Sequence, residues 1–196
     1  MKKLFVLLLI GAGCWFLFHD KPAQWKGIPA RAEPQQTDKD LPNPFPHEQY
    51  TITPLARYSI TAVVLSRDRY RFDPAAKLAP LDLALGWGAM SISSAINELN
   101  ISQSGRWYEY TWRGDAPLDP QVMATHSANT HCLPANATVR SQLLAVRRHD
   151  LVTLEGYLVE IAGPEGWKWR SSLTRDDTGG HACEVMWVTS VARRKL

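Results

Sequence analysis

Three segments near the end of the chain constrain its fold more than any other feature. Residues 151–161, 167–173 and 184–191 are rich in β-branched and aromatic residues. In the last two, successive side chains alternate between a mainly apolar and a mainly polar face. A Gly-Pro-Glu-Gly turn at residues 163–166 separates the first two segments. The pattern predicts three strands in an antiparallel meander.

A helix is predicted directly before this meander. Val139, Leu143 and Val146 recur at helical spacing, and Asn136 is a residue type that caps helix N-termini well. The polar stretch before the helix, HSANTHCLPAN at residues 126–136, is predicted to be the loop that leads into it.

Two earlier segments complete the predicted fold. Residues 59–65 are β-branched and residues 106–112 are aromatic, and both compositions favour strands. Strands that pair antiparallel beside one or two helices indicate an α+β domain. We therefore expect a β-rich domain at residues 55–193, with a curved antiparallel sheet or a small OB-like barrel.

The N-terminus carries a strong apolar signal. Residues 4–18 hold no charge and follow Lys2 and Lys3. As a helix they would span roughly 22 Å. A cleaved signal peptide, a lipoprotein modified at Cys14 and an uncleaved signal anchor are the alternatives. The aromatic run at residues 15–18 favours the anchor. Residues 1–20 are thus predicted to be a transmembrane helix, with a cytoplasmic N-terminus and the lipid bilayer as partner.

A proline-rich stretch follows, at residues 21–54. It holds seven of the thirteen prolines of the chain. Repeated proline locks φ and extends the backbone, so that this stretch is predicted to be a semi-rigid linker.

The charge and the tryptophans bear on the class of ligand. The net charge of +3 is small and part of it lies at the two ends of the chain, so that nucleic acid is disfavoured as a partner. Six of the eight tryptophans fall in the predicted domain. We expect most of them in the core, and stacking on a nucleic-acid strand or a glycan is the alternative.

Two cysteines lie in the predicted domain, Cys132 and Cys183. In an exported domain such a pair predicts a disulfide. The bond would place their Cα atoms roughly 5.5 Å apart. It would also gather the polar residues around them: His126, Asn129, His131, Arg175, Asp176, Asp177 and His181.

This gathering is the candidate site, and three chemistries are open for it. His126, His131 and His181 could ligate a transition metal, although no cofactor is predicted. Ser127 or Ser171 could act as a nucleophile with a histidine and Asp177. Asp176 and Asp177 could bind a hard cation. No strong motif supports these, and a polar loop pair that satisfies its own backbone is favoured. The candidate catalytic residues are His126, Ser127, His131, Asp177 and His181.

Four segments resemble an uncharacterised family of small, membrane-anchored bacterial proteins. They are LAPLDLALGWGAMS, ISQSGRWY, HSANTHCLPAN and WKWRSSLTRDDTGGHACE. The resemblance implies a bacterial inner membrane with the domain in the periplasm, and it implies no activity. Cys132 departs from the family pattern, in which an apolar residue follows the histidine of the SANxH segment.

These observations lead to one main functional prediction and two alternatives. The chain is predicted to be a single-pass inner-membrane protein whose periplasmic domain is a binding or assembly module, with an envelope protein as a candidate partner. A periplasmic hydrolase or metal-dependent enzyme built on the two histidine-bearing segments is the first alternative. An aromatic-sheet binder of single-stranded nucleic acid or glycan is the second.

Overall fold

Ten strands and three α-helices make up the part of the chain that the computed structural model describes, residues 25–177 and 179–194. The strands are β1 (Gln35–Thr37), β2 (Phe45–His47), β3 (Tyr50–Arg69), β4 (Leu81–Gly86), β5 (Leu99–Ser104), β6 (Trp107–Trp112), β7 (Ser127–Pro134), β8 (Leu151–Ala162), β9 (Lys168–Arg170) and β10 (Glu184–Arg194). The helices are α1 (Ser93–Ile96), α2 (Pro120–Thr125) and α3 (Ala137–Ala145).

Five of these strands form a closed ring of paired neighbours. β3 pairs antiparallel with β4, β4 with β7, β10 with β8, and β8 with β3. The ring also contains one parallel pair, β7 with β10. The length of β3 allows closure, because residues 51–63 pair with β8 and residues 63–69 pair with β4. The predicted β-rich domain with a curved sheet and few helices is confirmed.

Alternation along the strands separates the interior of the barrel from its outer face. Leu81, Leu83 and Leu85 of β4 point into the interior core, while the intervening Asp82 and Ala84 lie on the outer face. The other interior side chains include Ala56, Tyr58, Ile60, Ala62, Cys132, Val152, Leu154, Leu158, Met186 and Val188.

Helix α3 covers one end of the barrel. The Asn136 side chain accepts a hydrogen bond from the Val139 backbone N–H at 3.0 Å, which confirms the predicted N-cap. Val139 and Leu143 are buried in the interior core. Because α3 follows the end of β7, it lies at the end of the barrel where β7 finishes. The opposite end, where β7 and β10 begin, is free of this helix.

The hairpin of β5 and β6 packs on the outer face of the barrel. Its two-residue turn, Gly105 and Arg106, has positive φ at both positions, as a type I′ turn requires. Leu99 and Ile101 of the hairpin share a buried apolar core with Ala84 of the barrel. The rest of this second core consists of Trp25, Val63, Leu65, Met90, Ile96 and Met123.

The proline-rich stretch differs from the predicted linker. β1 pairs with residues 57–59 of β3, and β2 pairs with residues 50–52. Trp25 and Ala30 are buried. Proline can join a sheet at an edge strand, which is where β2 holds Pro46. The described part of this stretch therefore belongs to the folded domain.

Two local predictions are wrong. The predicted loop at residues 126–136 is largely strand β7, whose alternate side chains Thr130 and Cys132 are buried in the barrel. The predicted strand at residues 167–173 is reduced to the three residues of β9. In both cases the pairing partner, rather than local composition, decides the structure.

The membrane predictions require correction. The predicted transmembrane helix at residues 1–20, with Cys14, lies outside the described residues. Across residues 25–177 and 179–194, no helix is long and apolar enough to cross a membrane. The longest, α3, has nine residues, whereas a span needs about 20. Among these described residues, the predicted signal anchor and inner-membrane location with a periplasmic domain are therefore not supported by any helix.

Substitution of Gly156 by alanine should destabilise the barrel. A Cβ atom at Gly156 in β8 would lie 1.9 Å from the Trp187 backbone oxygen, beside the bulge that β10 makes between Val188 and Ser190. We expect a loss of about 1–3 kcal/mol in the free energy of unfolding, as for other overpacked sites. Denaturant unfolding of the full-length chain measures it.

The matched control is Gly180→Ala, because a Cβ atom there meets nothing within 4 Å. Its unfolding midpoint should stay at the wild-type value. Equal stability of the Gly156→Ala protein and the wild type would contradict the described pairing of β8 with β10.

Candidate functional site

A cleft of about 210 Å³ opens at the end of the barrel where β7 and β10 begin. It lies between the β5–β6 hairpin, the start of β7 and the segment that precedes β10. Its aromatic lining residues are Trp87, Trp107, Tyr108 and Tyr110, and its polar ones include Ser127, Asn129, Arg175, Asp177, Cys183 and Glu184. An aromatic concave surface with a few polar groups is the usual composition of a ligand site.

Strand β6 supplies the aromatic wall of the cleft. The ring centroids of Tyr108 and Tyr110 lie 5.5 Å apart. The Tyr108 hydroxyl donates to Ser127 Oγ at 3.3 Å, and burial raises the pKa of Tyr108. Trp107 is 52% exposed at the rim, where a ligand can reach its ring.

A buried ionic cluster forms the floor. Arg175 pairs through Nη1 with Glu184 Oε1, and the same Nη1 donates to the Tyr58 hydroxyl at 3.2 Å. Glu184 lies on the interior face of β10, at the position that pairs with Thr130 of β7. A carboxylate inside a barrel needs such a cation, because an unpaired buried charge is costly.

The Glu184 carboxyl has a raised pKa. Burial raises its pKa from 4.5 to about 7, against the opposing effect of Arg175. The group therefore exchanges its proton near neutral pH. Such a group in a cleft is a recognised mark of a functional site.

A chain of side-chain contacts joins the hairpin to the other wall of the cleft. Gln103 of β5 donates from Nε2 to Asn129 Oδ1 at 2.7 Å. The Asn129 amide nitrogen contacts Cys183 Sγ at 3.7 Å. Burial raises the pKa of Cys183 to about 11, so that it stays a thiol at neutral pH and is a poor nucleophile.

The predicted disulfide is wrong, since Cys132 and Cys183 are both free. Cys132 pairs with Met186 and points into the barrel interior. Cys183 lies three residues before Met186, about 10 Å further along the strand direction. It also contacts Asn129, which lies on the other face of β7 from Cys132. Distance and orientation both exclude a bond.

The three candidate histidines lie apart. His126 ends α2, where its Nδ1 donates to the Val122 backbone oxygen at 2.9 Å. His131 lies on the outer face of β7 with its Nδ1 2.8 Å from Asp82 Oδ2. His181 is exposed in the segment before β10.

A metal site is not built from these histidines. Within the described ranges, no group of three or more His, Cys, Asp and Glu side chains is arranged to hold a metal ion.

The candidate serines and aspartates have structural partners. Ser127 Oγ donates to the Met123 backbone oxygen at 2.7 Å. Ser171 Oγ donates to the Ser172 backbone oxygen at 2.7 Å and accepts from Val185 N–H at 3.0 Å. Asp177 lines the cleft and accepts from Ser172 Oγ at 2.6 Å, whereas its neighbour Asp176 does not line the cleft.

A second ionic cluster fixes the hairpin to the barrel. Arg106 in the hairpin turn donates to Asp82 Oδ1 at 3.0 Å and to Asp73 Oδ2 at 2.8 Å. Its guanidinium lies over the Tyr70 ring, 4.1 Å from the centroid. Asp82 also contacts His131. His131, which was predicted as a site residue, therefore belongs to this ionic cluster and not to the cleft.

Sequence reasoning missed the aromatic wall and Glu184 of the floor, whereas Asn129, Arg175 and Asp177 were among the residues expected to meet and all three line the cleft. Tyr108 and Tyr110 alternate with Trp107 and Glu109 in a segment that was predicted only as a strand. Glu184 lies on the same face of β10 as the buried Met186. A charged residue in line with buried apolar residues is the feature of the sequence from which a buried carboxylate could have been predicted.

Comparisons with known protein families, curated proteins and solved structures find no match for this chain. The resemblance to a family of membrane-anchored bacterial proteins stays a prediction. The functional argument therefore depends on the geometry of the cleft.

The Glu184 carboxyl should make stability depend on pH. Its pKa is about 7 in the folded protein and about 4.3 in an unfolded chain, so that the folded state retains a proton that the unfolded state loses. This contribution is complete below the unfolded pKa and is lost as the pH rises through 7. Unfolding midpoints across this range should therefore fall in the wild type and fall less in Glu184→Gln.

Glu109→Gln is the control, because Glu109 is an exposed carboxylate of the same hairpin. It should retain the wild-type dependence on pH. If Glu184→Gln also retains it, the Glu184 carboxyl does not titrate as described.

Proposed function

We propose that this domain is a binding module that takes a neutral glycan into the cleft at the end of the barrel. The observation that carries the proposal is the cleft itself, in which the aromatic wall of β6 faces the polar groups of Asn129, Arg175 and Glu184. Aromatic rings can stack on the apolar face of a sugar, while the polar groups bond its hydroxyls.

The connectivity of the ring supports an OB-like barrel. Its chain order is β3, β4, β7, then helix α3, then β8 and β10, with β10 lying between β7 and β8. OB-like barrels bind oligonucleotides and oligosaccharides through their second and third strands and adjacent loops. The cleft uses the corresponding places, the start of β7 and the segment between β8 and β10. This likeness is an analogy of fold alone, and the proposal depends on the residues of the cleft.

The charges of the cleft favour a glycan over a nucleic-acid strand. Among the residues that the structure describes, Arg175 is the one basic residue that lines it, and its guanidinium is already paired with Glu184. Asp177 adds a second carboxylate. A strand of phosphates needs several free cations along its path, and this cleft instead offers carboxylates that would repel it.

Binding should depend on Trp107 at the rim. Isothermal titration of the full-length chain with cello-, malto- and chito-oligosaccharides, and with a thymidine oligonucleotide, identifies the class of ligand. Trp107→Ala should weaken binding of the preferred oligosaccharide by about ten-fold, which corresponds to about 1.4 kcal/mol.

The matched control is Trp167→Ala, which removes an indole that is 41% exposed and does not line the cleft. It should bind as the wild type does. Binding of the oligonucleotide in place of every oligosaccharide would contradict the proposal, and so would unchanged affinity in Trp107→Ala.

A further inference from the structure

A second concave surface, which we call the lateral groove, lies at the open end of the β5–β6 hairpin, opposite to its turn. Its volume is about 740 Å³, which is in the usual range for a ligand site. Three parts of the chain form it: the segment between α1 and β5, the paired ends of β5 and β6, and the turn between α3 and β8. No residue that the structure describes lines both this groove and the cleft.

Positive charge predominates among the charged side chains of the lateral groove. Arg113, directly after β6, and Arg148, in the turn before β8, both line it and are exposed. Glu98 is the one carboxylate among the described residues of its lining. In the part of the chain that the structure describes, neither guanidinium forms a salt bridge, with Glu98 or with any other acid. The groove therefore offers two free cations from two separate segments.

The turn that carries Arg148 is held in place by its next residue, His149. The backbone of His149 has a φ of 71°, and its N–H donates to the Val64 carbonyl oxygen at 2.7 Å. Its ring packs against Trp25, with the two centroids 5.7 Å apart. Burial and, after it, the charge of Arg148 lower the pKa of His149, so that the imidazole is uncharged at neutral pH. Arg148 thus projects from a fixed backbone, which reduces the entropy that binding costs.

Neutral donors and an indole ring complete the lateral groove. Asn100 and Thr111 lie opposite each other across the hairpin, and both are exposed where they line the groove. Trp112, the next residue along β6, is half-buried and lines the groove as well. An amide N–H and a hydroxyl can donate to an anion beside the guanidinium groups. The indole offers apolar contact to the organic part of a ligand.

We propose that the lateral groove binds a small organic ester of phosphate or sulfate. The oxyanion accepts hydrogen bonds from Arg113 and Arg148, while the organic part packs beside Trp112. A planar guanidinium presents paired donors that match the oxygens of such a group. Two guanidinium groups suit one compact oxyanion, because a nucleic-acid strand needs several cations along its path. This site is separate from the cleft and does not depend on the proposed glycan-binding function.

The test uses three probes that share a ring and differ in charge. Phenyl phosphate, phenyl sulfate and phenol are titrated into the full-length chain by isothermal calorimetry. At least one ester should bind about ten-fold more tightly than phenol, because only the esters can accept from both guanidinium groups. The ester with the higher affinity identifies the oxyanion. If phenol binds as tightly as both esters, the proposal is wrong.

The first variant removes one cation of the lateral groove. Arg148→Gln should weaken binding of the preferred ester about five-fold or more, since half of the free positive charge is lost. The matched control is Arg71→Gln, which removes an exposed arginine of the β3–β4 loop that does not line the groove. It should bind as the wild type does. Equal losses in the two variants, or no loss in Arg148→Gln, would overturn the assignment to this groove.

The second variant predicts a gain of affinity, which a folding defect cannot imitate. Glu98→Gln removes the carboxylate that repels the anion and should strengthen ester binding about two-fold or more. Its control is Glu109→Gln, because Glu109 is an exposed carboxylate of the hairpin that does not line the groove. Unchanged or weaker binding in Glu98→Gln would contradict the proposed position of the oxyanion. Either failure leaves the glycan-binding function of the cleft untouched.

Discussion

The parallel pairing of β7 with β10 is the contact on which the rest of the structure depends. It joins two segments that are more than fifty residues apart in the chain and closes the ring of five strands. Its register places Thr130 opposite Glu184, which directs the carboxylate into the barrel and Cys183 away from Cys132. The cleft exists at this end because both strands begin there, while α3 covers the other end. A change of register by one residue would exchange the two faces of β10 and remove the floor.

The cost of burying charge explains how the hairpin is attached to the barrel and how the floor of the cleft is built. Asp82 is fully buried on the outer face and is stabilised by Arg106, which reaches it from the hairpin turn. The hairpin is therefore held to the barrel by an ionic cluster as well as by apolar packing, and the aromatic wall of the cleft keeps its position. At the floor of the cleft, Arg175 compensates the buried Glu184 carboxylate in the same way.

Local signals in the sequence predicted local structure well. The cap at Asn136, the helix after it and strands β3, β6, β8 and β10 follow from side-chain spacing and β propensity, which act within a few residues. Strands β1, β2, β4, β5 and β7 were not predicted. The closed ring and the cleft depend on which strands pair, and pairing is set by contacts between distant segments. The stretch at residues 126–136 shows the difference, since its polar composition predicts a loop while its neighbours make it a strand. The two polar segments were expected to meet at a disulfide, whereas strand pairing brings them together and leaves both thiols free.

The proposed ligand enters the barrel at the end where β7 and β10 begin. Amide NMR of the isotope-labelled full-length chain, titrated with the preferred oligosaccharide, tests this most directly. Signals from residues 127–129, 175–177 and 179–184 should shift together, with one dissociation constant, while those of α3 at the opposite end should not move. Shifts that are confined to α3 and the strand ends beside it, or no shift in either cleft segment, would contradict it.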